Sequence, residues 1–310
     1  MNKISSNAVN FYLLPLVLFF LSSCSNQEDK TSVLNVAGGE IVRIENFDSR
    51  YVDSRHVDIW LPPAYGKGTE LGVLYMHDGQ SLYDATTTWN EQEWGVDEFF
   101  IKNPDLQNYI VVGAWNAGAN RWNEYFPSKA FNYMSASSME LLHGHGIDSI
   151  EGKFSSDQYL KFLVEELKPF VDSNFDVNNS REYTAIMGSS MGGLISWYAT
   201  CEYPAVFGTA LCLSTHWPGI FTNENNPIPT AFLDYLEDKL DVSEGYRFYF
   251  DTGTETLDSL YLVHQSKVDA LFRGKGFSEQ NFLSNVIEGA GHTEDYWRAR
   301  LDLPFNFLMQ

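Results

Sequence analysis

The chain has 310 residues, 44% of them hydrophobic and 15% aromatic, with a formal charge of −21 at pH 7. That is enough apolar material for one large α/β domain with its own core. The acidity excludes a nucleic-acid binder, which needs basic stripes to displace counterions from phosphates.

At the N-terminus, Lys3 precedes an apolar run from Phe11 to Leu21 that Pro15 interrupts. The run is shorter than the roughly 20 residues that span a bilayer, and it reads as a secretory signal. Leu21-Ser22-Ser23-Cys24 is similar to a bacterial lipobox. Residues 1–23 are therefore expected to be a lipoprotein signal peptide, and Cys24 the acylated residue after cleavage. Such a chain would be exported across the inner membrane and held at the outer membrane or cell surface by lipid alone. Residues 24–38 are polar and read as a flexible tether, followed by one domain over 39–310 that no Pro/Gly linker divides. Cys201 and Cys212 lie in apolar segments and read as buried free thiols.

Along the domain, strand-like and helix-like runs alternate, the mark of a mostly parallel sheet covered on both faces. "HVDIWLPP" puts Val57, Ile59 and Leu61 on one face of a strand; "GVLYMHDG" and "YIVVGAW" are buried strands. A helix follows over 155–172, with Ser155 and Gln158 as a candidate capping box. "EYTAIM", "FGTALCLSTHW", "RFYFDTG" and "FLSNVIEGAGH" supply further strands. "LISWYATCEY", "TLDSLYLVHQSKVDALFRGKG" and "TEDYWRARLDLPFNFL" supply helices.

The stretch "MGSSMGG" falls between a strand and a helix. Gly188, Ser190 and Gly192 meet the Gly-x-Ser-x-Gly pattern, in which a serine stands on a turn too sharp for side chains two residues either side. Centring on Ser189 would put Met187 and Met191 there, so Ser190 is the candidate nucleophile. A serine hydroxyl needs a base, and His292, directly after the last strand, stands where one belongs. His56 and His264 lie inside regular elements. His77 ends a strand, and His216 follows one. His143 and His145 have no carboxylate or cysteine at ligand spacing, so no metal is expected. The acid that would orient His292 falls in "FDTGTETLDSLY", where Glu255 sits in the loop and Asp258 starts the next helix. The residues alone leave both open. The backbone N–H groups of Met191 and Gln80 are candidate oxyanion donors, with Gly79 allowing close approach. Trp115, Trp122, His216, Trp217 and Trp297 fall in or near loops expected to ring the site, as sugar- or phenol-stacking surfaces or as core.

Together, "VLYMHDGQSLYD", "NRWNEYFP", "IMGSSMGGLISWY", "LSTHWP" and "EGAGHTEDYWRARL" resemble the esterases of the α/β-hydrolase fold that include feruloyl, acetylxylan and enterochelin esterases and S-formylglutathione hydrolase. The resemblance implies Ser190 as nucleophile, His292 as base, and Gln80 with Met191 at the oxyanion. Many relatives carry the acid three residues after a glycine like Gly253, where this chain has Thr256. The "TLDSLY" block looks like a subgroup with an aspartate at Asp258, which favours Asp258 over Glu255. The implied activity is cofactor-free hydrolysis of a small-molecule or polysaccharide ester. A feruloyl or acetyl glycan ester comes first, with Trp122, His216 and Trp217 as substrate contacts. A siderophore tri-ester, or glycan binding without catalysis on a hydrolase scaffold, is the alternative.

Overall fold

The computed structural model describes residues 34–68, 70–144 and 154–310. Cys24, the signal segment, most of the expected tether and His145 lie outside these residues.

Among the described residues eight strands make one sheet: β1 (Glu40–Phe47), β2 (Arg55–Leu61), β3 (Gly72–His77), β4 (Tyr109–Ala114), β5 (Thr184–Ser189), β6 (Thr209–Leu213), β7 (Arg247–Gly253) and β8 (Phe282–Ile287). Their order is β1-β2-β4-β3-β5-β6-β7-β8. β2 pairs antiparallel with both β1 and β4, and every other pairing is parallel. The helices are α1 (Val96–Lys102), α2 (Arg121–Tyr125), α3 (Ala136–Gly144), α4 (Ser156–Lys161), α5 (Lys168–Asn174), α6 (Met191–Glu202), α7 (Ile228–Lys239), α8 (Leu262–Gly274), α9 (Glu294–Arg298) and α10 (Asp302–Leu308).

The period of two along each strand sorts side chains into two cores. Val73 and Tyr75 of β3 join Tyr159, Trp197 and Phe232 on one face. Leu74 and Met76 join Phe100, Trp297 and Phe305 on the other. Helices therefore cover both faces, as an α/β sheet of near-continuous apolar strands requires. Cys201 and Cys212 are buried and free.

The structure departs from the sequence reading in several places, and the last expected helix is two, α9 and α10. Residues 34–38, expected in the tether, are packed on the domain. Leu34 is buried, the Asn35 and Ala37 amides donate to Asp84 and Asp97, and Trp60 Nε1 donates to the Gly38 carbonyl. The compact unit therefore begins at Leu34. The helix expected over 155–172 forms, but its middle, Phe162–Leu167, is π-helical. Pro169 cannot donate to the Glu165 carbonyl, which loosens the ladder there. Ser155 is the N-cap, yet its side chain makes no capping bond, so the expected capping box does not form.

Candidate active site

Ser190 alone makes the turn from β5 to α6, at φ 58° and ψ −120°. A side-chain-bearing residue holds such a conformation only when its surroundings over-determine it, and here they do. The Ser190 N–H donates to the Leu213 carbonyl (3.0 Å), and its carbonyl accepts from the Gly193, Leu194 and His216 amides (3.1, 3.3 and 3.1 Å). The flanking glycines are not equivalent. A Cβ on Gly188 would lie 2.8 Å from the Gly192 backbone, and one on Gly193 would lie 2.7 Å from Thr215 Oγ1. A Cβ on Gly192 would meet nothing closer than 3.5 Å. The second glycine of the motif is thus sterically replaceable, and Gly193, outside the motif, is not.

His292 stands on the loop after β8. Its N–H donates to Thr256 Oγ1 (2.9 Å), and its Nδ1 shares a 2.5 Å hydrogen bond with Asp258 Oδ1. Trp297 and Tyr261 hold the ring edge-on at 5.1 and 5.6 Å. With Nδ1 engaged, Nε2 is the nitrogen left for proton transfer.

Asp258 is fully buried. Its Oδ2 accepts from the Gly253 amide (2.6 Å) and the Ser214 hydroxyl (2.5 Å). Ser214 Oγ itself accepts from Trp297 Nε1 (3.0 Å) and Arg300 Nη2 (2.8 Å). Both lone pairs being taken, the hydroxyl proton has only Asp258 to go to. Arg300 also bonds Asp251 (2.8 Å), so one guanidinium serves two buried carboxylates. Burial pushes the Asp251 carboxyl up despite that partner.

Of the two carboxylates the sequence leaves open, the structure brings Asp258 to His292. Glu255 is exposed and caps the turn over 256–260, with no side-chain hydrogen bond to the site. Thr256, standing where relatives carry an acid, positions the His292 backbone instead.

Asp78-Gly79-Gln80 forms the opposite wall. Asp78 is left-handed (φ 58°), and its carboxylate is gripped by Arg121 Nε and Nη2 (2.6 and 2.7 Å) and Asn116 Nδ2 (2.7 Å). Burial opposes ionisation, but the guanidinium prevails and holds the carboxyl below its usual range. A Cβ on Gly79 would lie 2.4 Å from the Gly113 carbonyl, so only glycine admits this approach to β4. Gln80 is the second residue of a 3₁₀ turn and Met191 the first of α6. Backbone N–H groups at such positions have no intrahelical acceptor, which leaves both free to bind an anionic oxygen.

Ser190, His292, Gln80 and Arg121 line one open cleft of about 690 Å³, and Trp89 and Trp297 line it too. Trp217, expected to touch substrate, does not line it. It is buried against Trp197 (5.9 Å, stacked) and donates from Nε1 to Gln265. It follows the end of β6 by four residues, and its side chain turns into the core. His216 is also buried. Its Nδ1 meets the Tyr261 hydroxyl (2.6 Å). Burial, then the nearby His292 and Arg121, lower its pKa to about 3. Trp122 packs edge-on to His216 (5.9 Å) and against the exposed Phe221 and is absent from the cleft lining. His77 lies behind the elbow, bonded to Tyr159 and lowered by burial to about 3. Among the described residues no group of His, Cys, Asp or Glu is arranged to hold a metal ion.

Sequence reasoning misses Arg121, Ser214, Arg300, Tyr261, Trp89 and Trp94. Arg121, Ser214 and Arg300 sit inside the "NRWNEYFP", "LSTHWP" and "RARL" blocks, but nothing local marks their roles.

A family model described as Putative esterase matches residues 49–305. The chain belongs to that family. It is 24% identical over 250 residues to the uncharacterized protein YbbA of Bacillus subtilis, covering 79% of this chain and 88% of that protein. It is 26% identical over 252 residues to an endo-1,4-beta-xylanase/feruloyl esterase of Xylanibacter ruminicola, covering 79% of this chain but 28% of that one. Among solved structures, a ferulic acid esterase matches with a TM-score of 0.60 at 17% identity, over 87% of this chain and 98% of its own. The enterobactin esterase of Shigella flexneri matches at 0.62 and 17%, over 90% of this chain and 61% of its own. At such identity the structural likeness speaks for the α/β fold, and family membership makes this an esterase-family protein.

Proposed function

We propose that this protein is a serine carboxylic ester hydrolase acting through an acyl-enzyme on an extracellular feruloyl or acetyl glycan ester. The observation that carries the reading is the Asp258–His292 hydrogen bond at the same cleft as the strained Ser190 turn. In this mechanism Ser190 Oγ attacks the ester carbonyl carbon while His292 Nε2 takes its proton. The Gln80 and Met191 amides receive the developing oxyanion, and Asp258 stabilises the imidazolium. Collapse expels the alcohol, protonated by His292. Water then attacks the acyl carbonyl, again giving its proton to His292, and the acid leaves as Ser190 is reprotonated.

Charge favours a glycan over a ferric catecholate siderophore, which is polyanionic. Arg121 is paired with Asp78, and among the described residues the remaining fixed charge lining the cleft is Glu294. The similarity to a xylanase/feruloyl esterase points the same way. A lipid at Cys24 would hold the enzyme beside an immobile polymer; radiolabelled palmitate incorporation lost in Cys24→Ala tests this.

A fluorophosphonate probe is expected to label the folded protein and not Ser190→Ala. That variant is expected to lose roughly 10⁵- to 10⁶-fold in kcat on its ester. Absence of labelling in the folded wild type would support glycan binding without catalysis instead. Hydrolysis of a catecholate tri-ester but of no acyl glycan would transfer the assignment to siderophores.

A further inference from the structure

The cleft has two ends, and the proton chemistry assigns them. The leaving alkoxide receives its proton from His292 Nε2, so the alcohol half of the ester must lie against His292, away from the Gln80 and Met191 amides. Thr293, Glu294 and Trp297, which follow His292, line the cleft together with Trp89, Asn90, Gln92 and Trp94. Asn90 Nδ2 ties the two halves together by donating to Glu294 Oε2 (3.0 Å).

Trp89 on this wall is 92% exposed. Tryptophan is ordinarily among the more buried residues, and an indole in water is an unused apolar surface. The segment that carries it is not loose. Asp84 caps it through the Thr86 amide and hydroxyl, Thr88 Oγ1 donates to the Ala85 carbonyl and accepts from the Gln92 amide, and the Trp94 amide donates to Ser81. Trp94 in turn packs on Trp297 at 5.4 Å. Asn90, Gln92 and Glu294 line the same part of the cleft surface and make it polar.

We propose that this wall is the subsite for the alcohol half of the ester, and that it takes a sugar ring with Trp89 as its stacking platform. The inference rests on the ester-hydrolase reading, and it adds which end of the cleft holds the sugar and which residue selects it. An uncharged ring with one face of C–H groups and a rim of hydroxyls complements an apolar plane bordered by amide and carboxylate acceptors. The braced segment keeps the cost of ordering the platform low. The acyl half then lies toward Asn116, Gly118 and Arg121.

The test compares esters that share an acyl group and differ in the alcohol. The pairs are methyl ferulate against a feruloylated arabinoxylan oligosaccharide, and methyl acetate against acetylated xylotriose. For Trp89→Ala we expect kcat/KM on the sugar ester to fall about tenfold, mainly through KM, with the small ester changed by less than about twofold. Trp89→Tyr, which keeps a ring, is expected to recover most of the loss. Equal losses on both members of a pair, or no loss on either, overturn the assignment. Ser190→Ala protein titrated with xylohexaose gives a readout that needs no turnover: binding followed by tryptophan fluorescence should weaken about tenfold when Trp89 is also replaced. If the wild type hydrolyses no member of either pair, the hydrolase reading on these esters fails. The binding arm still decides the subsite, and absence of xylohexaose binding overturns it.

Discussion

At the scale of single residues, Asp258 and Glu255 sit on one loop and differ in what surrounds them. Asp258 is buried among the Gly253 amide, the Ser214 hydroxyl and His292, whereas Glu255 faces solvent. Asp258→Asn should leave the fold but lose the tautomer control of His292, dropping kcat by about 10⁴-fold. Glu255→Gln should stay within about twofold in the same assay, since a solvated carboxylate without a partner orients nothing. Ser214→Ala strands the Trp297 and Arg300 donors in the interior. It should cost about 1–3 kcal/mol in chemical denaturation and lower kcat as well.

Between elements, the β5–α6 turn is fixed by contact rather than by motif. Gly188→Ala and Gly193→Ala each force a Cβ against a close neighbour, and each should destabilise by about 1–3 kcal/mol. Gly192→Ala has room and lies in α6, so it should be neutral or up to about 1 kcal/mol stabilising. Melting curves of the three variants separate the cases. A second junction joins the segment before β1 to α1. Burial, with neighbouring Glu98, raises the Asp97 carboxyl from 3.8 to about 7, although it accepts the Ala37 amide. Between those values the folded chain keeps a proton that the unfolded chain has released. Stability should therefore fall as pH rises from about 4 to about 7 and level off above. Asp97→Asn should flatten that part of the Tm–pH curve.

Across the whole molecule, the domain closes through chain outside its sheet. A chain starting at Glu40 lacks Leu34 and the amide and carbonyl partners of Asp84, Asp97 and Trp60. Compared with one starting at Leu34, it should melt several degrees lower, at about 2–4 °C per kcal/mol lost. The same distance dependence explains which parts of the architecture can be read from sequence. β2 to β8 show as apolar runs because their alternation is local. β1 carries Glu40, Arg43 and Glu45 on an edge strand, and α7 opens with a proline in its first turn, so neither stands out.

Local chemistry by itself marked Ser190 rather than Ser189 as the serine at the strand-to-helix turn, His292 as the histidine placed after the last strand, and the α/β alternation, since each is written in a few adjacent residues. Tertiary structure alone decided that Asp258 rather than Glu255 meets His292, because the choice depends on Ser214, Gly253 and Arg300 from separate elements. It also decided that Trp217 belongs to the core while Trp89 faces the cleft. A tryptophan beside a site in sequence carries no signal of which way its ring turns; that is set by what the neighbouring strands and helices leave uncovered.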